Sequence, residues 1–461
     1  MRDKEKKAEK GFLASSQFTN RQMIGMLIPL VLDQLFLYLI MLLTTSMISS
    51  SSEDSVTAIS LVQPLVQGQV AFYTAFATGG SVIIAQYKGH GDETKLKEAI
   101  GQTMHLVMML SLILSLLQYL LAAPMVSWLF PSATAPVKER AVQYLSGMAI
   151  CNFIHSFRVG STAALRGVGE IRRNMIGTII INLSYFIFSY IFLNRLKLDI
   201  KGTILSYALA RLLGMLTSAY YHFVEKKTDV AIPFRLLLKG DRSYLSRIIR
   251  LGIPFSVEEL LINAGTLFVS TYLILLGTAN VAANAIVSSI YNAVGAPAIA
   301  VGMLSATVVG QCIGAGKEDL ARWYGKRLVW LGYGLMVLSA LIVLPLSGPL
   351  LSLYHPQPET GAIARELLLI ALGGMVLFFP LSQILPNVLR SAADAGYTTA
   401  VSLICMWLLR VGGGYLAAIV LGLGVRGIWL MMAGECLLRG ILFLIRFRGK
   451  RWLQKSEGLL E

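Results

Sequence analysis

Apolar stretches recur along this chain, separated by short charged or glycine-rich breaks. Twelve of them reach the length of about 20 residues that a helix needs to cross a ~30 Å hydrocarbon layer. They run roughly over 24–48, 57–86, 101–123, 141–165, 174–194, 202–223, 248–277, 280–313, 328–354, 362–389, 397–421 and 427–446. The alternating ten-residue pattern of membrane strands is absent. Only helices then satisfy their own backbone within each stretch, so the pattern predicts an all-α membrane protein of twelve transmembrane helices.

Composition agrees. Hydrophobic residues make up 55% of the 461 positions, charged residues only 14%, and the mean hydropathy is +0.66. A soluble fold could not hide that much apolar surface. The net charge of +15 would suit nucleic acid, but its distribution points to a bilayer. With both termini assigned to the cytoplasm, inner segments hold 29 Lys and Arg and outer loops 6. That asymmetry satisfies the positive-inside rule, although the outer loop at 195–201 carries three basic residues. The expectation is a multi-pass cell (inner) membrane protein with cytoplasmic termini, no nucleic-acid partner and a monomeric state. Residues 1–23 are polar, and the apolar run after them is too long for a signal-peptide core, so no cleaved leader is expected. Cys151, Cys312, Cys405 and Cys436 lack metal-ligand spacing and predict free buried thiols with no metal. HExxH, GxSxG and Walker A motifs are missing, which argues against an enzyme, a cofactor or ATP-driven work.

The chain also repeats itself. A shift of 225 positions carries Pro29 onto Pro254, Asp33 onto Glu258, Ala58 onto Ala283, Gln86 onto Gln311, Gly89 onto Gly314, Gly91 onto Gly316 and Gly202 onto Gly427. Arg166 and Arg390 follow at 224. The predicted division is a cytoplasmic segment 1–23, a six-helix lobe 24–223, a basic linker 224–247, a second lobe 248–446 and a tail 447–461. Six spans per copy give both copies the same orientation, related by an axis along the membrane normal with a cleft between them. Ser49–Ser52 with Glu53 and Asp54, and Gly277–Asn280, read as outer turns. Gly89-His90-Gly91-Asp92 and Gly314-Ala315-Gly316-Lys317 read as inner helix stops.

Acids inside apolar helices are the main chemical candidates. Asp33 lies nine residues into its stretch, about 14 Å deep in a ~30 Å core. A bare carboxylate there is costly, so it takes up a proton, binds a cation or pairs with a base such as Arg158 or Arg211. Glu258 holds the matching place, while Glu259 points about 100° away and is expected to face its own bundle and meet a base. Repeated lobes with such acids are the pattern of a secondary transporter coupled to H⁺ or Na⁺. His155 and Arg158 share one face of the fourth span. Arg211, and Glu435 with Arg439, look like structural ion pairs. Cleft candidates are Gln63, Gln67, Tyr73, His155, Arg158, Asn182, Asn263, Asn284 and Gln383, with Asn292 and Asn387 as further polar points. Met303, Met375, Phe378 and Phe379 could serve adaptable binding of apolar cations.

Several segments resemble the multidrug and toxic compound extrusion (MATE) family across nearly the whole chain. GGSVIIAQYKGHGD (79–92) looks like the family's GASxLIAQxLGAGD stretch, and ATVVGQCIGAGK (306–317) like its repeat. LRGVGEIR (165–172) resembles LRGxGDTR with Glu for Asp; Gly252-Ile253-Pro254 and Leu276-Gly277-Thr278-Ala279 also fit. The resemblance implies a V-shaped pair of lobes that exports small cationic or amphipathic molecules in exchange for H⁺ or Na⁺ by alternating access, without cofactors. The family's frequent first-helix Asp falls on Thr44, with Asp33 about three turns earlier. Its fifth-helix Asn matches Asn182, the Asp after it falls near Phe186, and the tenth-helix acid has no counterpart in 366–388. The family's usual ion site is thus expected to be either absent or rebuilt around Asp33 and Glu258. Two other readings are a flippase for lipid-linked saccharides or metabolites on the same fold, and a non-transporting membrane scaffold or receptor.

Overall fold

The computed structural model describes residues 17–48, 52–225 and 228–455, and the side chains of 38–48 and 455 lie outside that description. Twelve long helical segments carry the described chain. The first repeat contains α1 (Asn20–Ile48), α2 (Glu53–His90), α3 (Glu93–Leu129), α4 (Ala135–Val168), α5 (Ile171–Ser189, with a π-helical end Tyr190–Arg195) and α6 (Asp199–Ala219, with a π-helical end Tyr220–Val224). After a one-turn helix at Arg235–Leu238 come α7 (Arg242–Ile274), α8 (Thr278–Gly314), α9 (Glu318–Ser352), α10 (Pro358–Ser391), α11 (Ala395–Cys405, with π-helical stretches Met406–Gly413 and Leu416–Val420) and α12 (Gly424–Arg448). Nine helices among the described residues are long and apolar enough to cross a membrane. The other three, α1, α4 and α6, carry the buried charges Asp33, Arg158 and Arg211.

Each predicted stretch lies on one helix, overrunning it only at Leu275–Gly277, Leu353–Tyr354 and Leu421. Helices also extend beyond the apolar residues because their caps are polar. Gly91 (φ 82°) closes α2 with its N–H on the Tyr87 carbonyl, and Asp92 caps α3 by accepting from the Thr94 and Lys95 N–H groups. Glu53 and Asp54 are not turn residues; they form the first turn of α2, where the helix dipole favours acids. Ser49–Ser51 lie outside the described residues. Leu116, Leu120, Trp330, Leu341, Ile404 and Leu408 are exposed, as a lipid-facing perimeter requires.

The first helix of each repeat is shared between cores. Met23, Leu27 and Leu30 of α1 pack with Val308, Leu385 and Phe443. Ile248, Leu251 and Phe255 of α7 pack with Phe76, Ile83 and Leu165. Even-numbered helices end, and odd-numbered ones begin, at the side bearing most Lys and Arg, called here the basic end. There α2 and α8 cross so closely that a Cβ on Gly89 would sit 2.0 Å from the Gln311 carbonyl oxygen, and one on Gly314 would sit 1.9 Å from that of Gln86. Gln86 donates to the Ser391 carbonyl at 2.7 Å and Gln311 to the Gly167 carbonyl at 3.0 Å, each reaching into the other repeat. The seal is therefore made twice, by residues one repeat apart.

Candidate functional site

Between α2 and α7 lies a cavity of about 850 Å³. Gln67, Thr74 and Thr78 of α2 face Phe255, Glu258, Glu259, Asn263 and Thr266 of α7 across it. Towards the basic end it meets a space of about 220 Å³ walled by α2, α4, α8 and α10, with Thr162, Arg166, Met303, Thr307, Gln383, Asn387 and Arg390 on its surface. Thr74, Thr78, Phe255 and Arg390 line both. This hollow stops short of the α2–α8 crossing.

Two acid–arginine pairs stand at its floor. Asp33, with a side chain 2% exposed, accepts from the Arg166 guanidinium at 3.1 Å. Glu258 takes Arg390 at 2.5 Å and the Thr399 hydroxyl at 2.8 Å on one carboxylate oxygen. Both arginines stand at α-helix ends, two residues before Val168 and one before Ser391. Thr307 further fastens α8 to this end of α4 by donating to the Arg166 carbonyl at 2.8 Å. The two pairs differ in one respect. The second oxygen of Asp33 is buried without a partner, whereas Glu258 lines the larger cavity.

Several expectations need correction. Asp33, at the middle of α1, pairs with Arg166 rather than with Arg158 or Arg211. Glu259, expected to meet a base inside its bundle, is instead exposed on the larger cavity and forms no ion pair among the described residues. Arg158 forms no ion pair among the described residues. It donates to the Asn174 side chain at 3.0 Å, the Asn174 carbonyl at 2.8 Å and Thr178 at 3.2 Å, and also to Thr162. Arg211 is not an ion pair either: it donates to Asn152 at 2.5 Å and stacks on Tyr207. Glu435 and Arg439 do pair, at 3.2 Å, and Arg410 joins them at 2.6 Å.

Of the proposed cleft residues, Gln67 and Asn263 line the larger cavity and Gln383 the smaller, together with Asn387 and Met303. Gln63 accepts from Tyr144 at 2.9 Å, and buried Tyr73 donates to the Asn152 carbonyl at 3.5 Å, both inside the first repeat. His155, Arg158 and Asn182 lie where α4, α5 and α6 meet, off both cavities. Asn284 accepts from the Trp429 indole at 3.0 Å within the second repeat. Met375 and Phe379 are core, with Phe378 packed against them. The Thr44 side chain lies outside the described residues. All four cysteines are buried and free.

Arg166 and Arg390 were not singled out as partners of the acids, yet the repeat carried the signal. The arginines stand one copy apart, as the acids do. Paired elements conserved by internal symmetry meet each other more readily than they meet an unrelated base on the same helix.

A two-lobed, all-helical bundle with a hollow between repeats, sealed at one end, is the architecture of a secondary transporter. The MatE family model matches residues 29–191 and again 254–416, two blocks offset by the same 225 positions as the internal repeat. The chain belongs to that family, and so to its multi-pass membrane transporters. An uncharacterized transporter, YisQ of Bacillus subtilis (strain 168), is 24% identical over 89% of this chain and 90% of its own length. A probable multidrug resistance protein, NorM of Thermotoga maritima, is 20% identical over 95% and 94%. Among solved structures, an outward-facing MATE transporter superposes with a TM-score of 0.83 at 20% identity, covering 95% of this chain and 96% of that one. A Pyrococcus furiosus transporter described as having reverse polarity in its binding pocket superposes with a TM-score of 0.82 at 20% identity, covering 95% and 96%. The V-shaped fold is thus common to proteins whose pockets differ in polarity, and cargo has to be argued from the residues of this chain.

Proposed function

We propose that this protein exports cationic amphipathic molecules across the cell (inner) membrane in exchange for H⁺ or Na⁺ by alternating access, with its basic end and both termini in the cytoplasm. The observation that carries the reading is the pattern of charge in the hollow. Arg166 and Arg390 at the floor are each matched by an acid, and Glu259 on the wall is not. One carboxylate is therefore left over beside Phe255, Gln67, Asn263 and Thr266, a surface suited to an organic ammonium with an apolar body.

Asp33 is the coupling acid in this reading. Its idle oxygen can take a proton, after which its bond to Arg166 loses its charge assistance and the floor loosens. Glu258, held by Arg390 and Thr399, acts as its counterpart in the second repeat. The protein works as a monomer, since both halves of the hollow come from one chain.

Proteoliposomes loaded with a permanent organic cation such as ethidium test this under imposed ΔpH or ΔNa⁺. Gradient-driven flux is expected, with Glu259→Gln raising KM for the cation about tenfold or more while a neutral cargo is unaffected. Absence of flux under both gradients would remove the reading, and equal losses for charged and neutral cargo would remove Glu259 from recognition.

A further inference from the structure

The interior of the amino-terminal repeat holds more positive charge than it neutralises. Arg158 on α4 and Arg211 on α6 are 4% and 9% exposed, and neither has a carboxylate within ion-pair distance among the described residues. Asp33 is committed to Arg166 and lies within electrostatic range of Arg158, so one buried acid is shared by two guanidinium groups while Arg211 has none. A buried cation without a counter-charge is costly, and its usual remedy is a paired anion.

The surroundings offer a place for one. Asn152, His155 and Arg158 succeed each other at three-residue spacing along α4, so His155 shares a face with each of the other two. Asn152 holds Arg211 at one end of this stripe, and Arg158 is anchored to Asn174 and Thr178 of α5 at the other. Between them the His155 Nδ1 is buried without a partner, within electrostatic range of both arginines. The helices α4 and α5 run antiparallel. Moving from Arg158 back to His155 on α4 therefore corresponds to moving from Thr178 on to Asn182 on α5. The Asn182 Nδ2 is buried there, also without a partner. Close packing of α5 on antiparallel α6, where a Cβ on Gly214 would meet Ile181 at 2.3 Å, puts Arg211, three residues earlier, within about one turn of Asn182. An amide N–H₂, a guanidinium and an imidazole nitrogen thus lie within about a turn of one another along the junction, and donors without acceptors are the chemistry of an anion site.

We propose that a monovalent anion binds at this α4–α5–α6 junction between Arg211, His155 and Asn182, supplied either by a free halide or by the carboxylate of a zwitterionic cargo. The site lies off both cavities, and only its second source, the cargo carboxylate, rests on the export reading.

Full-length protein in phosphatidylcholine nanodiscs is titrated with bromide against gluconate at constant ionic strength, following Tm. A free halide predicts a saturable rise in Tm whose half-saturation moves at least tenfold in Arg211→Gln and in Asn182→Leu. A cargo carboxylate predicts no bromide response, but a fluorescent zwitterionic amine that binds about tenfold tighter than its methyl ester, with the difference lost in both variants. Should Arg211→Gln fail to fold, Asn182→Leu decides alone, because it removes an amide nitrogen that has no partner. The proposal is overturned if bromide acts equally on wild type and variants, or if neither bromide nor the carboxylate produces a difference. No gradient or transport enters these measurements, so their outcome is separate from that of the flux assay.

Discussion

The two repeats share a plan but balance their buried charge differently. In the second repeat, Glu435 is 1% exposed and bridges Arg410 and Arg439, while Glu258 answers Arg390. In the first, Asp33 is the one buried acid among the described residues, and Arg158 and Arg211 make do with amides, hydroxyls and an aromatic face. The positions explain this. One repeat length before Glu435 stands Ala210, and before Arg439 stands Gly214. Duplication preserved the floor pairs and the seal, while the interior of each lobe diverged.

The largest effect is expected from upsetting the balanced lobe. Glu435→Gln leaves buried Arg439 and half-buried Arg410 without their shared counter-charge, at a cost of about 3–5 kcal/mol, read as a large fall in Tm of the detergent-solubilised protein. If the substitution is tolerated, uncompensated arginines are cheap in this fold and the contrast between lobes loses its meaning. Asp33→Asn comes next. Export should be abolished with normal membrane insertion, whereas Glu258→Gln, whose neighbour Thr399 still holds the amide, should retain part of it. Drug-resistance assays at matched expression compare the two, and a fully active Asp33→Asn protein removes Asp33 from the mechanism.

The seal should respond symmetrically. Gly89→Ala and Gly314→Ala each drive a methyl into a backbone carbonyl of the other repeat, so both should open the basic end. Labelling of a cysteine introduced at Ser81, on the smaller cavity, would rise several-fold from the basic side in both variants; a rise in only one would show that the two crossings are not equivalent. The smallest effect concerns a contact found only in the first repeat. Asp199 accepts from Ser52 and Ser55 and pairs with Arg140 at 3.0 Å. Burial alone would raise its carboxyl, but the hydrogen bonds from Ser55 and Ser52, with Arg140 beside them, outweigh it and hold it below the ordinary value. A depressed folded value means the contribution is present above the unfolded carboxyl value of about 3.9 and is lost as pH falls through the folded one. Asp199→Asn should thus cost less than about 1 kcal/mol at neutral pH, a difference from wild type that vanishes below about pH 4. A difference that grew on acidification would reverse the assignment.

Most of the fold was legible along the chain because span length, polar caps and the repeat are local or periodic properties. The twelve helices, the positions of Gly91 and Asp92 at a helix junction, and the acids in α1 and α7 follow from those patterns. The site was legible only in part. Composition marked Asp33, Glu258 and Glu259 as costly to bury, but a carboxylate is indifferent to which guanidinium answers it, and proximity in space decides. Adjacent Glu258 and Glu259 differ by about 100° of helix rotation, and only the packing of α7 against α2 and α11 determined which was paired and which was left facing the hollow. His155 and Asn182 likewise read as cleft residues until α4 and α5 were placed side by side. Hydrophobic periodicity and duplication therefore specify which segments become helices and how they repeat. The partner of each buried charge comes from helix rotation and crossing, where a few ångströms of backbone approach at Gly89 and Gly314 decide what can touch.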